Sequence, residues 1–222
     1  MTKRILISLL ALALGLAALA VAARAADAPK TLLPLDGTNA RLAESTLADV
    51  VADAARVTLK ADLALVQAAQ VRSDVIPAGP LADDALTRVL LYPDEPIVAV
   101  ELRGQTVLDA LERSLCALPQ PSTGFLQVSG LTLTFRSAGP AGQRLDSVKV
   151  GQAPLVPDKV YRVAMPSSLA KGALGYFRIF NALEIKQTGP GLGPALLAYV
   201  HSVGLISLEP DRRLRDLTPP KR

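Results

Sequence analysis

Apolar residues recur along this chain with two spacings, one typical of helices and one typical of strands. Between residues 47 and 60 they return every third or fourth position, which predicts an amphipathic helix with one buried face. Similar patterns predict helices over 81–91, 105–117 and 195–203, with a short helical turn over 167–171. Short apolar runs bounded by glycine or proline predict strands over residues 63–66, 97–103, 125–128, 131–136, 146–150, 160–164 and 183–186.

The middle of the chain changes to strands alone. Between residues 125 and 150 three predicted strands follow each other across short turns that contain Gly or Pro, which predicts a β meander. Helices and strands are both frequent, so the sequence predicts an α/β fold of mixed α+β layers. A chain of about 200 residues has room for one such domain and not for a second large one.

The first 25 residues have the three-part pattern of a secretory signal peptide. Lys3 and Arg4 precede an uncharged apolar run over residues 5–22, and the run closes on Ala23-Arg24-Ala25. We expect cleavage after Ala25 and export to the periplasm or out of the cell; the alternative is that the segment stays as an N-terminal anchor. After cleavage no later stretch is apolar enough to span a membrane.

The remaining chain divides into a lead-in, a domain and a tail. We expect the lead-in over residues 26–40, the domain over 41–208 and a charged tail over 209–222. The tail contains Pro219-Pro220 and few apolar residues, so we expect residues 211–222 to be solvated and to have little part in function.

The charge of the chain argues against a nucleic-acid partner. The formal net charge is +4, but three of the 24 basic residues and none of the 20 acidic ones lie in the signal segment, which leaves +1. Nucleic-acid binding depends on clustered Lys and Arg and on stacking aromatics, and aromatic residues make up only 4% of this sequence. We therefore expect no nucleic-acid partner.

Metal-dependent hydrolysis is not expected of these residues. A catalytic metal needs several converging His, Asp or Glu ligands, and the chain has one histidine, His201, to which we assign a structural or surface role. No cofactor is predicted. The single cysteine, Cys116, lies in a helical pattern and is interpreted as a small buried apolar residue.

Two further motifs resemble catalytic elements but have simpler interpretations. Ser167 and Ser168 precede a short helical turn, and we interpret them as its caps, because no base is indicated nearby. The segment Gly189–Gly193 resembles a phosphate loop, but prolines there remove backbone N–H donors, and we interpret it as a turn.

Two pairs of aspartates could in principle serve acid–base chemistry. Asp49 and Asp53 are one helical turn apart, and we interpret them as a polar helix face. Asp83 and Asp84 lie at a predicted helix start, where negative charge interacts favourably with the helix dipole.

Several stretches together resemble the C-terminal domain of the 5'-nucleotidase family. Residues 44–54 resemble its helix motif E-x-x-L-G-N-L-I-A-D-A, and residues 98–115 resemble V-V-V-E-L-T-G-x-x-L-x-x-A-L-E-x-S. Residues 124–131, G-F-L-Q-V-S-G-L, are close to the most specific signature, G-x-F-L-Q-V-S-G-L. Residues 160–164 and 169–172 match the strand and turn before the family's G-G-D-G loop.

The resemblance implies a mixed α/β domain that binds the nucleoside part of a substrate, while a separate metallophosphatase domain performs hydrolysis. Among the positions it points to, the residues that remain as candidate ligand contacts are Arg72, Arg41, Tyr92 and Tyr176.

Other binding positions of the family are changed. The family's N-G-G-G-I-R is Gln67–Arg72 here, its second stacking aromatic falls on Ser168, and its loop aspartate falls on Leu174. These replacements remove glycines that let backbone approach a ligand, a stacking ring and a directional acceptor. They argue against nucleotide binding of the family's kind.

Two hypotheses follow. In the first, the chain is an exported, non-catalytic domain that binds another small ligand or a protein partner. In the second, it is the substrate-recognition half of a split nucleotide hydrolase, whose metallophosphatase is a separate chain.

Overall fold

The computed structural model describes residues 28–209 and 213–219. Its strands in chain order are β1 (Lys30–Thr31), β2 (Leu35–Asp36), β3 (Leu63–Gln67), β4 (Val75–Ile76), β5 (Gly79–Pro80), β6 (Pro96–Arg103), β7 (Leu126–Ser129), β8 (Leu131–Phe135), β9 (Leu145–Val150), β10 (Ala153–Pro154), β11 (Val160–Pro166), β12 (Ile185–Gly191), β13 (Leu205–Ile206) and β14 (Leu214–Asp216). Its helices are α1 (Thr46–Thr58), α2 (Asp83–Arg88), α3 (Gly104–Leu115), α4 (Ser167–Ala170) and α5 (Leu192–Val203), with 3-10 turns at Ala68–Gln70 and Ala173–Gly175. The predicted signal peptide lies outside the described residues.

A five-stranded sheet in the order β12-β6-β11-β3-β7 forms the centre of the fold. Strands β3 and β11 are parallel, and the other neighbours in this sheet are antiparallel. Of the three predicted meander strands, β8 and β9 pair with each other in a second sheet of order β10-β9-β8-β14. The first, β7, pairs with β3 in the central sheet, so the prediction of a three-stranded meander is wrong. Two small sheets join β13-β1-β5 and β2-β4. The predicted mixture of α and β layers is confirmed.

Helix α1 lies in the core between the central sheet and α5. Every residue of this helix from Thr46 to Ala55 is buried. Ser45 caps its N-terminus by accepting a hydrogen bond from the Ala48 amide at 3.2 Å. A helix that is covered on several sides also buries its polar residues, which here include Asp49 and Asp53.

The 124–131 signature is explained by the packing around α1. Gln127 is fully buried, and its Nε2 donates to the carbonyls of Ala40 and Ala43 at 2.8 and 2.7 Å. Gly130 has φ +78°, and a Cβ atom there would lie 2.2 Å from the Asp62 carbonyl oxygen. The signature therefore fixes the approach to α1 and the turn between β7 and β8, which are structural roles.

Two element boundaries differ from the prediction. Helix α2 covers only Asp83–Arg88, because Leu90 forms a β-bridge with Val71 that takes the chain out of the helix. Strand β12 extends through Gly189-Pro190-Gly191, so the interpretation of this segment as a turn is wrong. Strand β12 lies at the edge of the sheet and carries register shifts, and both features accommodate a proline.

The expectation of a wholly solvated tail is wrong, because residues 213–219 attach to the fold, although residues 215, 216 and 219 are exposed. Strand β14 pairs in parallel with β8, and Leu214 is only 4% exposed. Among the described residues, no helix combines the length and hydropathy that a membrane crossing requires.

Candidate functional site

One edge of the central sheet gathers most of the positions that the sequence singled out. The parallel strands β3 and β11 end there at Gln67 and Pro166, and the antiparallel strand β6 begins there at Pro96. The segments that leave these strand ends therefore meet: the 3-10 turn after β3, the chain before β6, and α4 after β11. We call this the sheet-edge site.

A polar network joins the three segments. Gln67 Nε2 donates to Ser168 Oγ at 3.0 Å, and the Ser168 amide donates to Glu95 Oε1 at 2.7 Å. The other carboxylate oxygen of Glu95 accepts from Gln70 Nε2 at 2.6 Å. Two glutamines, one serine and one glutamate thus form a chain of hydrogen bonds across the sheet-edge site.

The two glutamines of the network are buried and closed to solvent. Gln67 is 2% exposed, Gln70 1% and Ala68 1%. The backbone of the 3-10 turn is held as well, because the amides of Ala68 and Ala69 donate to the carbonyls of Phe125 and Thr123 at 2.8 and 3.0 Å. The carboxamide oxygens of Gln67 and Gln70 are buried and have no hydrogen-bond partner among the described residues. The side chains of the network therefore bind each other and leave no opening at the two glutamines.

Ser168 has a different role from the one expected. The N-cap of α4 is Pro166, and no side chain caps this helix, so the interpretation of Ser167 and Ser168 as caps is wrong. Ser168 instead bonds to Gln67, which lies 101 residues earlier in the chain. Its backbone amide at the start of α4 is used by Glu95.

Three candidate contacts lie on the surface around the network. Arg72 is exposed, and its Nε donates to the Arg88 carbonyl at 2.9 Å. Tyr92 is 57% exposed, and the neighbouring Leu91 amide bonds to the Gln70 carbonyl, so Arg72 and Tyr92 flank the same turn. Arg41 is exposed, and its carbonyl accepts from the Ser122 amide at 2.9 Å, beside the loop that holds the 3-10 turn.

The structure does not bring Tyr176 to this surface. Its side chain is fully buried, its hydroxyl donates to the Gly124 carbonyl at 2.7 Å, and its ring stacks on Phe180 with 5.5 Å between centroids. Burial raises its pKa above the ordinary value for tyrosine. Leu174, which replaces the family's loop aspartate, is 40% exposed and has φ +57°.

Asp49 and Asp53 do not form a solvent-facing helix face, and that interpretation is wrong. Asp49 is 1% exposed and Asp53 8%. Asp53 accepts hydrogen bonds from Arg213 Nη1 at 3.0 Å and Nη2 at 2.9 Å, and a third from Ser129 Oγ. Asp49 Oδ1 lies 3.5 Å from Arg213 Nε without a hydrogen bond.

The electrostatics of this buried cluster differ between its two aspartates. Burial raises the pKa of Asp49 to about 9, opposed by the nearby Arg213 guanidinium and assisted by the negative charge of Glu44. Glu44 Oε2 accepts the backbone amides of Arg213 and Leu214 at 2.7 and 2.8 Å. The sequence analysis did not identify Arg213 as the partner of these carboxylates. The only signal in the sequence was that Glu44 and Asp53 both belong to the matched helix motif.

The remaining candidates have structural or surface roles. His201 Nε2 lies 2.7 Å from Asp83 Oδ1 in an exposed pair that joins α5 to α2. Cys116 is half-buried at the end of α3, where its thiol donates to the Glu112 carbonyl at 3.3 Å. Within residues 28–209 and 213–219, no three His, Cys, Asp or Glu side chains are grouped so that they could hold a metal ion.

Comparison with known proteins gives a consistent family and fold. The sequence profile of the family described as 5'-nucleotidase, C-terminal domain matches residues 21–182. A 5'-nucleotidase of Diplobatis ommata is 29% identical over 119 residues, which are 50% of this chain and 20% of that protein.

Two solved structures, both less than 25% identical in sequence to this chain, share its fold. A 5'-nucleotidase precursor from Thermus thermophilus superposes with a TM-score of 0.76 and 24% identity, over 86% of this chain and 39% of the other. A sulfate thiohydrolase from the same organism superposes with a TM-score of 0.65 and 22% identity, over 87% of this chain and 35% of the other. The chain thus spans about a fifth of the length of the matched curated relative and under two fifths of these solved chains.

Proposed function

This chain belongs to the family of 5'-nucleotidase C-terminal domains, and from that premise we propose that it is an exported, non-catalytic binding domain that engages a protein partner in place of a nucleoside. The observation that carries the proposal is the closed network of Gln67, Ser168, Glu95 and Gln70. The resemblance implies a nucleoside slot between stacking rings, and at two of the positions that it compares, Gln67 and Ser168, the side chains are bonded to each other.

Breaking the hydrogen bonds that close the network costs free energy. To admit a base, the site would have to break the neutral Gln67–Ser168 bond, which contributes about 0.5–1.5 kcal/mol, or the two bonds to the Glu95 carboxylate, which contribute about 1.5–3 kcal/mol each. A bound base would recover little of this, because Ser168 offers no ring on which to stack. The geometry therefore favours recognition on the surface of the site over recognition inside it.

The surface around the network has the composition of an interface. Tyr92 is 57% exposed and Leu174 40%, and Arg41 and Arg72 are also exposed. Aromatic residues and arginine are enriched in protein–protein interfaces, where they provide much of the binding energy. These four side chains are the contacts that we assign to the partner.

The fold does not by itself select a nucleotide. One of the structures that share it is a sulfate thiohydrolase by its description. A common fold supports many functions, and the function must be argued from the side chains of the site. In this chain those side chains have lost the stacking ring, the loop aspartate and the glycines of the matched family.

Export and the lack of catalysis are further parts of the proposal. Export is supported by the basic start, the apolar run and the Ala23-Arg24-Ala25 sequence. The non-catalytic role is supported by the residue types of the chain, since a single histidine and the clamped Asp53 provide no open set of metal ligands.

A titration tests the exclusion of nucleosides. Residues 26–222 are titrated with AMP, adenosine and inorganic phosphate while the melting temperature is followed, and phosphatase activity with Mn²⁺ is measured on the same sample. A full-length 5'-nucleotidase of the family serves as the positive control. We expect no saturable shift and no hydrolysis; a saturable shift with adenosine would overturn the exclusion.

Site-specific photo-crosslinking tests the proposed surface. A photoreactive amino acid is placed at Tyr92, and as a matched control at Val156, which is 50% exposed and lies at the opposite end of β6 beside Gly104. We expect a discrete crosslinked product in the exporting cell from position 92 only, which is lost when Arg72→Ala is added. Equal products from both positions, or none from position 92, would contradict the partner role.

The split-hydrolase hypothesis is kept as the alternative because Arg72 and the order of the family motifs are retained. In that case adenosine binding without hydrolysis is expected in the titration. Hydrolysis would then appear when a separate metallophosphatase chain is added, whereas the favoured proposal expects none under the same conditions.

A further inference from the structure

The C-terminal residues 213–219 lie across one side of the second sheet. Strand β14 pairs with the outer edge of β8, with Leu214 opposite Leu133 and Asp216 opposite Phe135. Residues 214–216 also line a groove of about 590 Å³, whose apolar floor includes Leu42, Leu118 and Phe135. These residues therefore cover a sheet edge and form one wall of an apolar groove.

The contacts that hold the segment are mostly polar and lie at its two ends. At the first end, Arg213 bonds both carboxylate oxygens of Asp53 and the Val128 carbonyl, and Glu44 accepts the amides of residues 213 and 214. At the second end, Thr218 Oγ1 accepts from the Ser137 hydroxyl at 3.1 Å and the Ala138 amide at 3.2 Å.

Apolar burial contributes little to this attachment. Leu214 is the only residue of the seven that is fully buried, and residues 215, 216 and 219 are exposed. The strand pairs over three residues and on one side only. Segments with few buried apolar contacts and exposed backbone hydrogen bonds open locally, well below the free energy of global unfolding.

We propose that residues 213–219 are a strap that opens independently of the rest of the fold, with the Arg213–Asp53 pair as its catch. Opening uncovers the outer edge of β8, where the Leu133 amide and the Phe135 carbonyl now bond to Arg213 and Leu217. Opening also removes the wall of the groove that residues 214–216 provide.

The catch gives a distinct role to two residues of the matched helix motif. Glu44 and Asp53 both point their carboxylates at the start of the strap, and Arg56 supports the arrangement because its Nε donates to Ser129 Oγ, which in turn donates to Asp53. We assign Glu44 and Asp53 as positioning residues for the C-terminal strap.

Hydrogen exchange with mass spectrometry on the full chain tests the strap. Peptides that cover residues 213–219 and 131–136 are compared with peptides from β3 and α1 at several low urea concentrations. We expect strap amides to exchange at least 100-fold faster than those of β3, with little dependence on urea. Equal rates and equal urea dependence would show that the strap opens only on global unfolding and would overturn the proposal.

Variants test the catch. Arg213→Gln should speed strap exchange at least tenfold, and Arg215→Gln, in the same strand, is the matched control. Because loss of Arg213 leaves buried carboxylates unpaired, Thr218→Ala is used as a second variant that releases only the far end and should speed strap exchange severalfold. If neither Arg213→Gln nor Thr218→Ala changes strap exchange relative to Arg215→Gln, the contacts of Arg213 and Thr218 do not hold the strap closed, and the proposal is overturned.

Discussion

Gln67 Nε2 donates to Ser168 Oγ over 3.0 Å, and this bond joins the ends of the two parallel strands of the central sheet. Both positions correspond to ligand contacts in the resemblance that the sequence shows, and in this chain they contact each other. The bond therefore ties helix α4 to the end of β3 within the family's fold.

Glu95 is expected to be the main stabilising residue of this network. Glu95→Ala removes the acceptors of the Ser168 amide and of Gln70 Nε2, so we expect a loss of about 2–3 kcal/mol in the free energy of unfolding, measured by urea denaturation. The control Glu184→Ala removes an exposed ion pair with Lys186 and should cost no more than about 0.5 kcal/mol. Equal effects of the two variants would argue against a network that holds the site closed.

Tyr176 and Tyr92 should respond differently to loss of their hydroxyl groups. Tyr176→Phe leaves the buried Gly124 carbonyl without its donor and should cost about 1–2 kcal/mol. Tyr92→Phe acts on an exposed ring and should change stability by less than about 0.5 kcal/mol. Thermal and urea unfolding of both variants measures this, and a neutral Tyr176→Phe would contradict the assignment of Tyr176 to the core.

The two buried aspartates of α1 should differ at pH 7. Asp53→Asn breaks the bidentate pair with Arg213 and should cost about 3 kcal/mol or more. Asp49→Asn replaces a carboxyl group that is already neutral at this pH, because burial raises its pKa to about 9, and should cost less than about 1 kcal/mol. Urea denaturation of the pair measures the difference, and an equal cost would indicate that Asp49 is ionised in the folded protein.

Protonation of Asp49 should make the free energy of unfolding depend on pH. Its pKa is raised from 3.8 to about 9 in the folded protein, so the folded state keeps a proton that the unfolded state releases. The stability that this proton contributes is complete below about pH 4 and is lost progressively as the pH rises towards 9. The free energy of unfolding should therefore fall more steeply between about pH 5 and 9 in the wild type than in Asp49→Asn, and parallel curves would contradict the prediction.

Much of the fold could be predicted because its elements are locally encoded. Apolar side chains at helical spacing predicted α1 and α3, and short apolar runs bounded by glycine or proline predicted β6, β8 and β11. Errors arose at boundaries where a distant contact decides the backbone, as at Leu90, whose bridge to Val71 ends α2.

The sequence by itself determined which residues are apolar, how they repeat and therefore which helices and strands form and which family's core they build. Only the tertiary structure decided what the polar residues do. Asp53 meets Arg213 across 160 positions and Gln67 meets Ser168 across 101, and no local spacing encodes either contact. A carboxylate on a helix has the same sequence pattern whether it faces water or a guanidinium from the far end of the chain. Its partner, its burial and its proton affinity are set only when the sheets and α1 pack together.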